Sequence, residues 1–273
     1  MLGQVRRRAW TTSICRICRI VFVERRFPGR FYQLYFSLLD RVGIRLTIIK
    51  LDNGFTVKAY THCFSMFYEV WRKKDYDIPG FALARNMTVI DIGANQGFFS
   101  LYAASKGAVV YAFEPCIDNF QILQWNISTN GLEDRVRMFN AAVTNKQGKV
   151  DFFVGLDGSG EIMSGTASTR NEDRGGKRVQ TRSVESVTLD SLLSDLRIGK
   201  CNFLKMDCEG AEYEILAGTS QASLQKIARI CVECHENRMQ EAVTILKNAG
   251  FEIVYEGQGE AAVLKATNTF ATV

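Results

Sequence analysis

A short apolar segment followed by a glycine-rich turn constrains the fold of this chain more than any other feature of its sequence. Residues 89–97 read VIDIGANQG, a buried strand with Asp91 near its carboxyl end. Gly93 and Gly97 bracket a tight turn, and the pattern predicts that a helix begins at Phe98. This strand–turn–helix unit is typical of α/β domains, in which unpaired N–H groups at the start of the helix face a ligand.

The spacing of the turn indicates which kind of ligand it serves. A dinucleotide site needs G-x-G-x-x-G, whereas Asn95 stands between Gly93 and Gly97 here. Asp91 would repel a phosphate and attract an ammonium group. The next predicted strand ends at Glu114, whose carboxylate can accept hydrogen bonds from ribose hydroxyls. This set of residues predicts a site for S-adenosylmethionine rather than for a nicotinamide cofactor.

A second segment has the same organisation. Residues 201–216 read CNFLKMDCEGAEYEIL, an apolar strand followed by Asp207, Glu209 and a turn at Gly210. In open α/β sheets, ligands bind beyond the carboxyl ends of the strands, where the strand order reverses. We expect this strand and the strand of Asp91 to flank that point, so that Asp207 faces both the cofactor and the second substrate.

Several motifs in this order resemble those of the FkbM family of S-adenosylmethionine-dependent O-methyltransferases. They are VIDIGANQGFFSLYAA, YAFEP, VTLDSL, LKMDCEGAEYEIL and VECHE, which lie between about Thr88 and Glu236. The resemblance implies the class I methyltransferase fold, an α/β, Rossmann-like fold with a mostly parallel seven-stranded sheet and helices on both faces. It also implies methyl transfer to a hydroxyl group, often on a sugar, a glycolipid or a polyketide.

Three regions are expected along the chain. Residues 1–30 form a basic N-terminal extension, residues 31–85 a helix–hairpin–helix accessory unit, and residues 86–273 the methyltransferase domain. In the accessory unit, helices are predicted over residues 31–42 and 62–71, on either side of a hairpin with the turn sequence DNG. We expect this unit to pack against the domain and to close over the substrate.

Three residues are candidates for the chemistry itself. His235 follows a predicted core strand at the same edge of the sheet, and an unperturbed imidazole pKa of about 6.5 suits a general base at neutral pH. Asp207 or Glu209 is the alternative base; Asp207 could instead shape the methionine pocket, and Glu209 could orient the acceptor hydroxyl. Asn140, which follows the third strand, is a candidate contact for adenine.

A bound metal is not predicted. Asp207, Glu209, Glu233 and His235 could offer oxygen and nitrogen ligands to a divalent ion, but their spacing in the sequence is not diagnostic. The pair Cys231-x-x-Cys234 is not expected to bind zinc, because residues three apart on a strand face opposite sides.

One long segment lacks a packing pattern. Residues 155–182 are rich in Gly, Ser and Thr and have hardly any large apolar groups, which is typical either of disorder or of a functional loop. We interpret the segment as a mobile lid or acceptor-recognition loop. Four of its basic residues could meet an anionic acceptor: Arg170, Arg174, Lys177 and Arg178.

Composition and charge limit the location and the partners of the protein. No apolar stretch approaches the ~20 residues of a membrane span. Eight irregularly spaced cysteines without a secretory signal favour a reducing, cytoplasmic location. The net charge of +5 comes from residues 1–30, which contain eight arginines and one acidic residue.

This basic segment has several interpretations. It could contact an anionic membrane surface or be a cleaved organellar presequence, and a solvated helix or frayed tail is the simpler interpretation. Nucleic-acid binding is not expected, because no basic stripe continues into the folded part. The oligomeric state is not predicted.

The sequence therefore predicts an S-adenosylmethionine-dependent methyltransferase that acts on a small-molecule, glycan or lipid-linked acceptor. The alternative is a non-catalytic S-adenosylmethionine- or nucleotide-binding module that docks a partner or a membrane through its basic N-terminus. The complete set of Asp91, Glu114 and the DCEGAE motif favours the enzyme.

Overall fold

A computed structural model describes residues 17–22, 29–74, 76, 79–156, 168–169, 178–235, 238–257 and 262–270. The strands are β1 (Ile17–Phe22), β2 (Leu46–Lys50), β3 (Thr56–Tyr60), β4 (Thr88–Ile92), β5 (Val109–Phe113), β6 (Val136–Phe139), β7 (Ala142–Val143), β8 (Gly148–Leu156), β9 (Arg178–Val187), β10 (Phe203–Met206), β11 (Arg229–Cys234), β12 (Phe251–Glu256) and β13 (Ala262–Asn268). The helices are α1 (Gly29–Arg41), α2 (Phe64–Tyr68), α3 (Phe98–Ser105), α4 (Ile117–Thr129), α5 (Leu189–Asp195), α6 (Glu212–Gly218), α7 (Gln221–Leu224) and α8 (Met239–Asn248).

The centre of the molecule is a seven-stranded sheet with the order β12-β13-β11-β10-β4-β5-β6. Strand β13 runs antiparallel to both of its neighbours, β11 and β12, and the other six strands of this sheet point in one direction. From β4 the chain crosses to β5 and β6 on one side and later to β10 and β11 on the other, so the strand order reverses between β4 and β10. The predicted class I methyltransferase fold is confirmed.

The inner strands of the sheet are buried on both faces because helices cover both. Successive side chains on β4 alternate, so that Val89 packs with α3 and α4 while Ile90 packs with α5, α6, α7 and α8. Runs of consecutive apolar residues in the sequence reflect this double burial. The sequence pattern predicts strands over residues 46–50, 109–113 and 136–139 and a helix over 239–248, and β2, β5, β6 and α8 have these bounds.

The N-terminal unit packs on the α3–α4 face and extends its apolar core. Phe36 of α1 stacks on Phe64 of α2 with ring centroids 4.0 Å apart, and both belong to the same buried cluster as Val89. The helix predicted over residues 62–71 is divided into a 3₁₀ turn (Thr61–Cys63), α2 and a π-helical turn (Glu69–Lys73).

Side-chain amides of the central domain bind the outer edge of strand β3. The amide groups of Asn130 and Asn126 each accept from a backbone N–H of β3 and donate to the carbonyl of the same residue, with distances of 2.6–2.9 Å. Gln96, in the glycine turn, accepts from the N–H of Tyr60 at 2.9 Å. The edge of the β1-β2-β3 sheet is thereby joined to the domain.

The structure corrects the description of the N-terminal extension. Residues 17–22, which were expected in a helix or a frayed tail, form strand β1 and pair in parallel with β2. The membrane-contact and presequence predictions concern residues 1–30, of which 1–16 and 23–28 lie outside the described residues. No helix in the described part of the chain is long and apolar enough to cross a bilayer.

The predicted loop at 155–182 is shorter at both ends. Strand β8 extends to Leu156 and pairs antiparallel with β9, which begins at Arg178, in a small sheet with β7. Within the loop the structure describes Ser168 and Thr169, and Ser168 bridges to Phe153 of β8. The basic residues Arg170, Arg174 and Lys177 lie outside the described residues.

Candidate functional site

The carboxyl ends of β4 and β10 approach each other closely at Gly93. This residue has φ +73°, and a Cβ placed on it would lie 1.7 Å from the carbonyl oxygen of Asp207. Only glycine tolerates both this left-handed backbone and this approach. The glycine turn and the Asp207 loop therefore form one continuous rim at the point where the strand order reverses.

A buried ion pair lies directly below this rim. Asp91 and Lys205 are partners in the parallel register of β4 and β10, with Lys205 Nζ 3.4 Å from Asp91 Oδ1. Lys205 also donates to the carbonyl of Gly93 at 2.8 Å and lies 3.3 Å from Asp207 Oδ2. Burial lowers the pKa of Lys205, but the charges of Asp207 and Asp91 outweigh it, so the pKa is raised well above its ordinary value.

Asp91, which the sequence predicted to contact the cofactor, lies beneath this rim. Asp91 is wholly buried, accepts a hydrogen bond from Ser100 Oγ at 2.6 Å, and borders neither of the two clefts at this edge of the sheet. Burial raises its pKa. Asp91 instead holds Lys205 in place, and Lys205 is the member of the pair that reaches a cleft.

Glu114 faces the first cleft from the end of β5. One carboxylate oxygen accepts from the N–H of Asn95 and the other from the N–H of Cys116, both at 2.8 Å. Burial raises the pKa of Glu114 to about 7, although the two backbone hydrogen bonds oppose that change. The bonds fix the carboxylate, and each oxygen keeps a second lone pair for a ligand hydroxyl.

The other predicted cofactor residues divide into two groups. Gly93 and Asn95 line the clefts, and Asn95 has a left-handed backbone with φ +50°. Gly97 does not line them; a Cβ there would lie 2.3 Å from Leu123, so Gly97 lets α4 approach α3. Asn140, predicted to contact adenine, has an exposed side chain that donates to the carbonyls of Glu114 and Pro115 and borders neither cleft.

Two clefts adjoin at this edge of the sheet and share part of their lining. The first encloses about 560 Å³, including space open to solvent, between Glu114 and an apolar wall. The second, about 490 Å³, is bordered by the charged side chains of Lys205, Glu69 and Glu233. Both are lined by Met66, Gly93, Asn95 and Asp207.

Four carboxylates surround His235. Its Nδ1 lies 3.1 Å from Glu212 Oε1, and its Nε2 lies 3.7 Å from Glu209 Oε2 and 3.9 Å from Glu233 Oε1. Burial lowers the pKa of His235, but the hydrogen bond to Glu212 and the charges of Glu212, Glu209 and Asp207 raise it to about 9. The surrounding carboxylates therefore favour the charged imidazolium form of His235.

Sequence reasoning did not assign a role to Glu212, which organises this cluster. Glu212 is wholly buried and accepts from the N–H groups of Cys208 and Gly210 at 2.8 and 2.9 Å, in addition to its contact with His235. The sequence did offer one indication of this role: Glu212 lies in the first turn of α6, a position that favours acidic residues.

Two further residues were missed. Lys205 interrupts an apolar strand, and a charged residue at such a position signals a buried partner. Ser168 donates to the carbonyl of Glu209 at 2.7 Å, and that residue has a left-handed backbone with φ +56°. The described part of the 155–182 segment thus contacts the cluster, and Thr169 borders the first cleft.

The fold and the position of the clefts define a protein of the methyltransferase class. A family model described as the methyltransferase FkbM domain matches residues 91–253, and the chain belongs to this family.

Three relatives illustrate how the match extends. The chain is 26% identical to the 31-O-demethyl-FK506 methyltransferase FkbM of Streptomyces tacrolimicus, over 76% of this chain and 90% of that protein. It is 28% identical to the hexuronic acid methyltransferase AglP of Haloferax volcanii, over 77% and 85%. It is 26% identical to the AMB antimetabolite synthetase AmbE of Pseudomonas aeruginosa over 69% of this chain, but it spans only 10% of that much longer protein.

Proposed function

We propose that this protein transfers a methyl group from S-adenosylmethionine to a hydroxyl group of a sugar, a glycolipid or another secondary-metabolite acceptor. One observation carries the proposal. A cleft with a fixed carboxylate adjoins a charged cleft at the carboxyl ends of β4 and β10, and the two share Gly93, Asn95 and Asp207. An elongated ligand with a nucleoside at one end and a zwitterion at the other matches this arrangement.

The residues of the first cleft suit the adenosine part of the donor. Glu114 accepts hydrogen bonds from the ribose hydroxyls, and Asn95 orients that carboxylate through its backbone N–H. The apolar wall beside them takes the adenine ring; it includes Phe113, Val143 and Phe152. In the second cleft, Lys205 faces the carboxylate of the methionine part, and Asp207 borders the cleft beside Lys205.

Methyl transfer requires that the acceptor oxygen be positioned and that its hydroxyl proton be removed. S-adenosylmethionine supplies an activated methyl group when it is bound, so the protein must place the acceptor oxygen in line and exclude water. Met66 and Tyr76 of the N-terminal unit wall the cleft opposite the strand ends and serve that purpose. Asp207, Glu209 and His235 face the acceptor.

Glu209 is the proton acceptor that we favour within this cluster. The neighbouring carboxylates raise the pKa of His235 and favour its protonated form, which cannot take up another proton, and Asp207 is engaged with Lys205 at 3.3 Å. The carboxylate of Glu209 is 29% exposed and borders the first cleft, and its backbone is fixed by Ser168. A carboxylate so placed can take the hydroxyl proton as the oxygen attacks.

Replacing Glu209 with Gln is expected to lower kcat by about 100-fold or more, because the amide cannot take up the proton. The affinity for S-adenosylhomocysteine should stay within a few-fold, since the donor site is intact. The measurement is methyl transfer from labelled donor together with calorimetric titration of S-adenosylhomocysteine. An unchanged kcat would show that a residue other than Glu209 accepts the proton.

Replacing Glu114 with Gln is expected to weaken binding of S-adenosylhomocysteine by about 10- to 100-fold, because a charged acceptor for the ribose hydroxyls is lost. The control is Asp118→Asn, which changes a neighbouring carboxylate that pairs with Arg182 on the surface at 2.6 Å. Isothermal titration should give the control the wild-type affinity. Equal loss in both variants would contradict the assignment.

Donor affinity should also depend on pH through Glu114. The carboxylate form binds the ribose hydroxyls, and the pKa of Glu114 in the ligand-free protein is raised to about 7. Affinity for S-adenosylhomocysteine should therefore rise as the pH passes from about 6 to about 8 and then level off. The Glu114→Gln variant should lack this part of the profile, and identical profiles for the two proteins would contradict the prediction.

The acceptor class is tested by incubating the protein with labelled donor and a panel of acceptors. Uronic acids and macrolide alcohols lead the panel, because AglP is described as a hexuronic acid methyltransferase and FkbM as a methyltransferase of 31-O-demethyl-FK506. Mass spectrometry of the products locates the added methyl group. Binding of S-adenosylhomocysteine without transfer to any hydroxyl would favour the non-catalytic alternative.

A further inference from the structure

Three potential metal ligands converge at the acceptor side of the cleft. Asp207, Glu233 and His235 each offer one ligand atom, and these atoms lie within 4.8 Å of one another. They come from the ends of the adjacent parallel strands β10 and β11. Divalent cations bind such atoms at roughly 2.0–2.6 Å, so two ligands on opposite sides of one ion are about 4–5 Å apart. One ion therefore fits between the three side chains with little movement.

The ring of His235 is held from outside this group. Glu212, which is not one of the three ligands, binds Nδ1 at 3.1 Å and is itself fixed by two backbone N–H groups. Nε2 is thereby directed at Glu209 and Glu233, whose oxygens are 3.7 and 3.9 Å away, too far for hydrogen bonds. A histidine with one nitrogen held by a carboxylate and the other directed at further carboxylates is the usual arrangement of a metal ligand.

Acidic side chains outnumber basic ones at this site, which also favours a bound cation. Five carboxylates, Asp91, Asp207, Glu209, Glu212 and Glu233, lie around Lys205 and His235. Lys205 is engaged with Asp91, Asp207 and the carbonyl of Gly93. Within the described part of the chain, His235 is the one cationic side chain within 4.0 Å of Glu233. Buried or half-buried carboxylates in such excess are stabilised by a bound cation.

We propose that Asp207, Glu233 and His235 bind a divalent cation, Mg²⁺ or Mn²⁺. Two carboxylates and one imidazole suit these ions, and the side of the site that faces the cleft leaves positions for water or for the acceptor oxygen. This conclusion reverses the prediction from the sequence, in which no metal was expected. The role of the cation rests on the proposed function: it would hold the acceptor hydroxyl and lower its pKa, while Glu209 takes the proton.

Binding is tested without turnover. The full chain, freed of metal with a chelator, is titrated with Mn²⁺ while electron paramagnetic resonance measures the free ion, and Mg²⁺ is then added as a competitor. We expect one Mn²⁺ per chain and displacement by Mg²⁺. The Glu233→Gln variant should raise the Kd for Mn²⁺ by at least about tenfold. Glu241→Gln, in an exposed residue paired with Arg238, should leave it unchanged.

The outcomes separate this proposal from the proposed function. No Mn²⁺ binding to the wild-type chain, or binding that Glu233→Gln leaves intact, would overturn the metal site. Calorimetry with S-adenosylhomocysteine on the chelated protein tests the donor site independently. Mn²⁺ binding without methyl transfer to any hydroxyl would support the metal site and count against the methyltransferase activity, whereas full-rate transfer in excess chelator would overturn the catalytic role of the cation.

Discussion

Replacing Lys205 with Met is expected to lower the free energy of unfolding by about 3–5 kcal/mol, because it leaves a buried carboxylate without its counter-charge. Asp91 is wholly buried, and Lys205 is its partner at 3.4 Å. Ser100 would remain as a hydrogen-bond donor to Asp91, but a hydroxyl does not neutralise the charge. Urea denaturation followed by circular dichroism measures the loss, and the loss should shrink at acidic pH as Asp91 takes up a proton.

Two variants test this explanation. Asp91→Asn combined with Lys205→Met removes both charges and should recover most of the lost stability. Lys149→Met removes a lysine from an exposed pair with Glu185, and its effect should stay within about 0.5 kcal/mol. If the double variant is as unstable as Lys205→Met alone, the buried charge is not the cause.

Replacing Gly93 with Ala is expected to abolish measurable binding of S-adenosylhomocysteine and to lower the free energy of unfolding by about 2–4 kcal/mol. The new Cβ would lie 1.7 Å from the carbonyl oxygen of Asp207 and 2.7 Å from its carbonyl carbon. Both atoms belong to the backbone, so β4 and β10 must separate at their carboxyl ends. That movement displaces Asp207 and widens the rim shared by the two clefts.

Gly43→Ala is the matched control. Gly43 also has a positive φ, +78°, but a Cβ there meets nothing within 4 Å. This variant pays only the cost of a left-handed alanine, about 1–2 kcal/mol, and should bind S-adenosylhomocysteine as the wild type does. Calorimetry and urea denaturation of both variants decide the point: equal binding in Gly93→Ala and the wild type would show that the close approach is not needed for the site.

The sequence predicted the central sheet well because its strands carry a local signal. Segments such as 89–92 and 109–113 are short apolar runs between turns, and doubly buried parallel strands require that composition. Strand β1 was not predicted, because its pairing with β2 is non-local and the arginines on either side of it suggested a solvated segment. A strand that depends on a distant partner has little signal of its own.

Most residues proposed for the site lie at one edge of the sheet, as the sequence suggested, but several of their contacts could not be predicted. Asp91 and Lys205 are far apart in the sequence, and only the register of β4 with β10 makes them partners. The raised pKa of His235 depends on carboxylates from α6 and from the loop that follows β10. Asn140 binds carbonyl groups, which is a contact that residue type alone does not specify. Such assignments depend on side-chain direction and burial rather than on residue pattern.

The amides that join the hairpin to the domain have an evolutionary consequence. Gln96, Asn126 and Asn130 recognise the N–H and C=O groups of β3, not its side chains. Any extended segment offers those groups at alternate residues, so the hairpin can diverge extensively in sequence and still dock in the same place. Sequence changes in the hairpin that keep β3 extended should therefore leave its attachment to the domain intact.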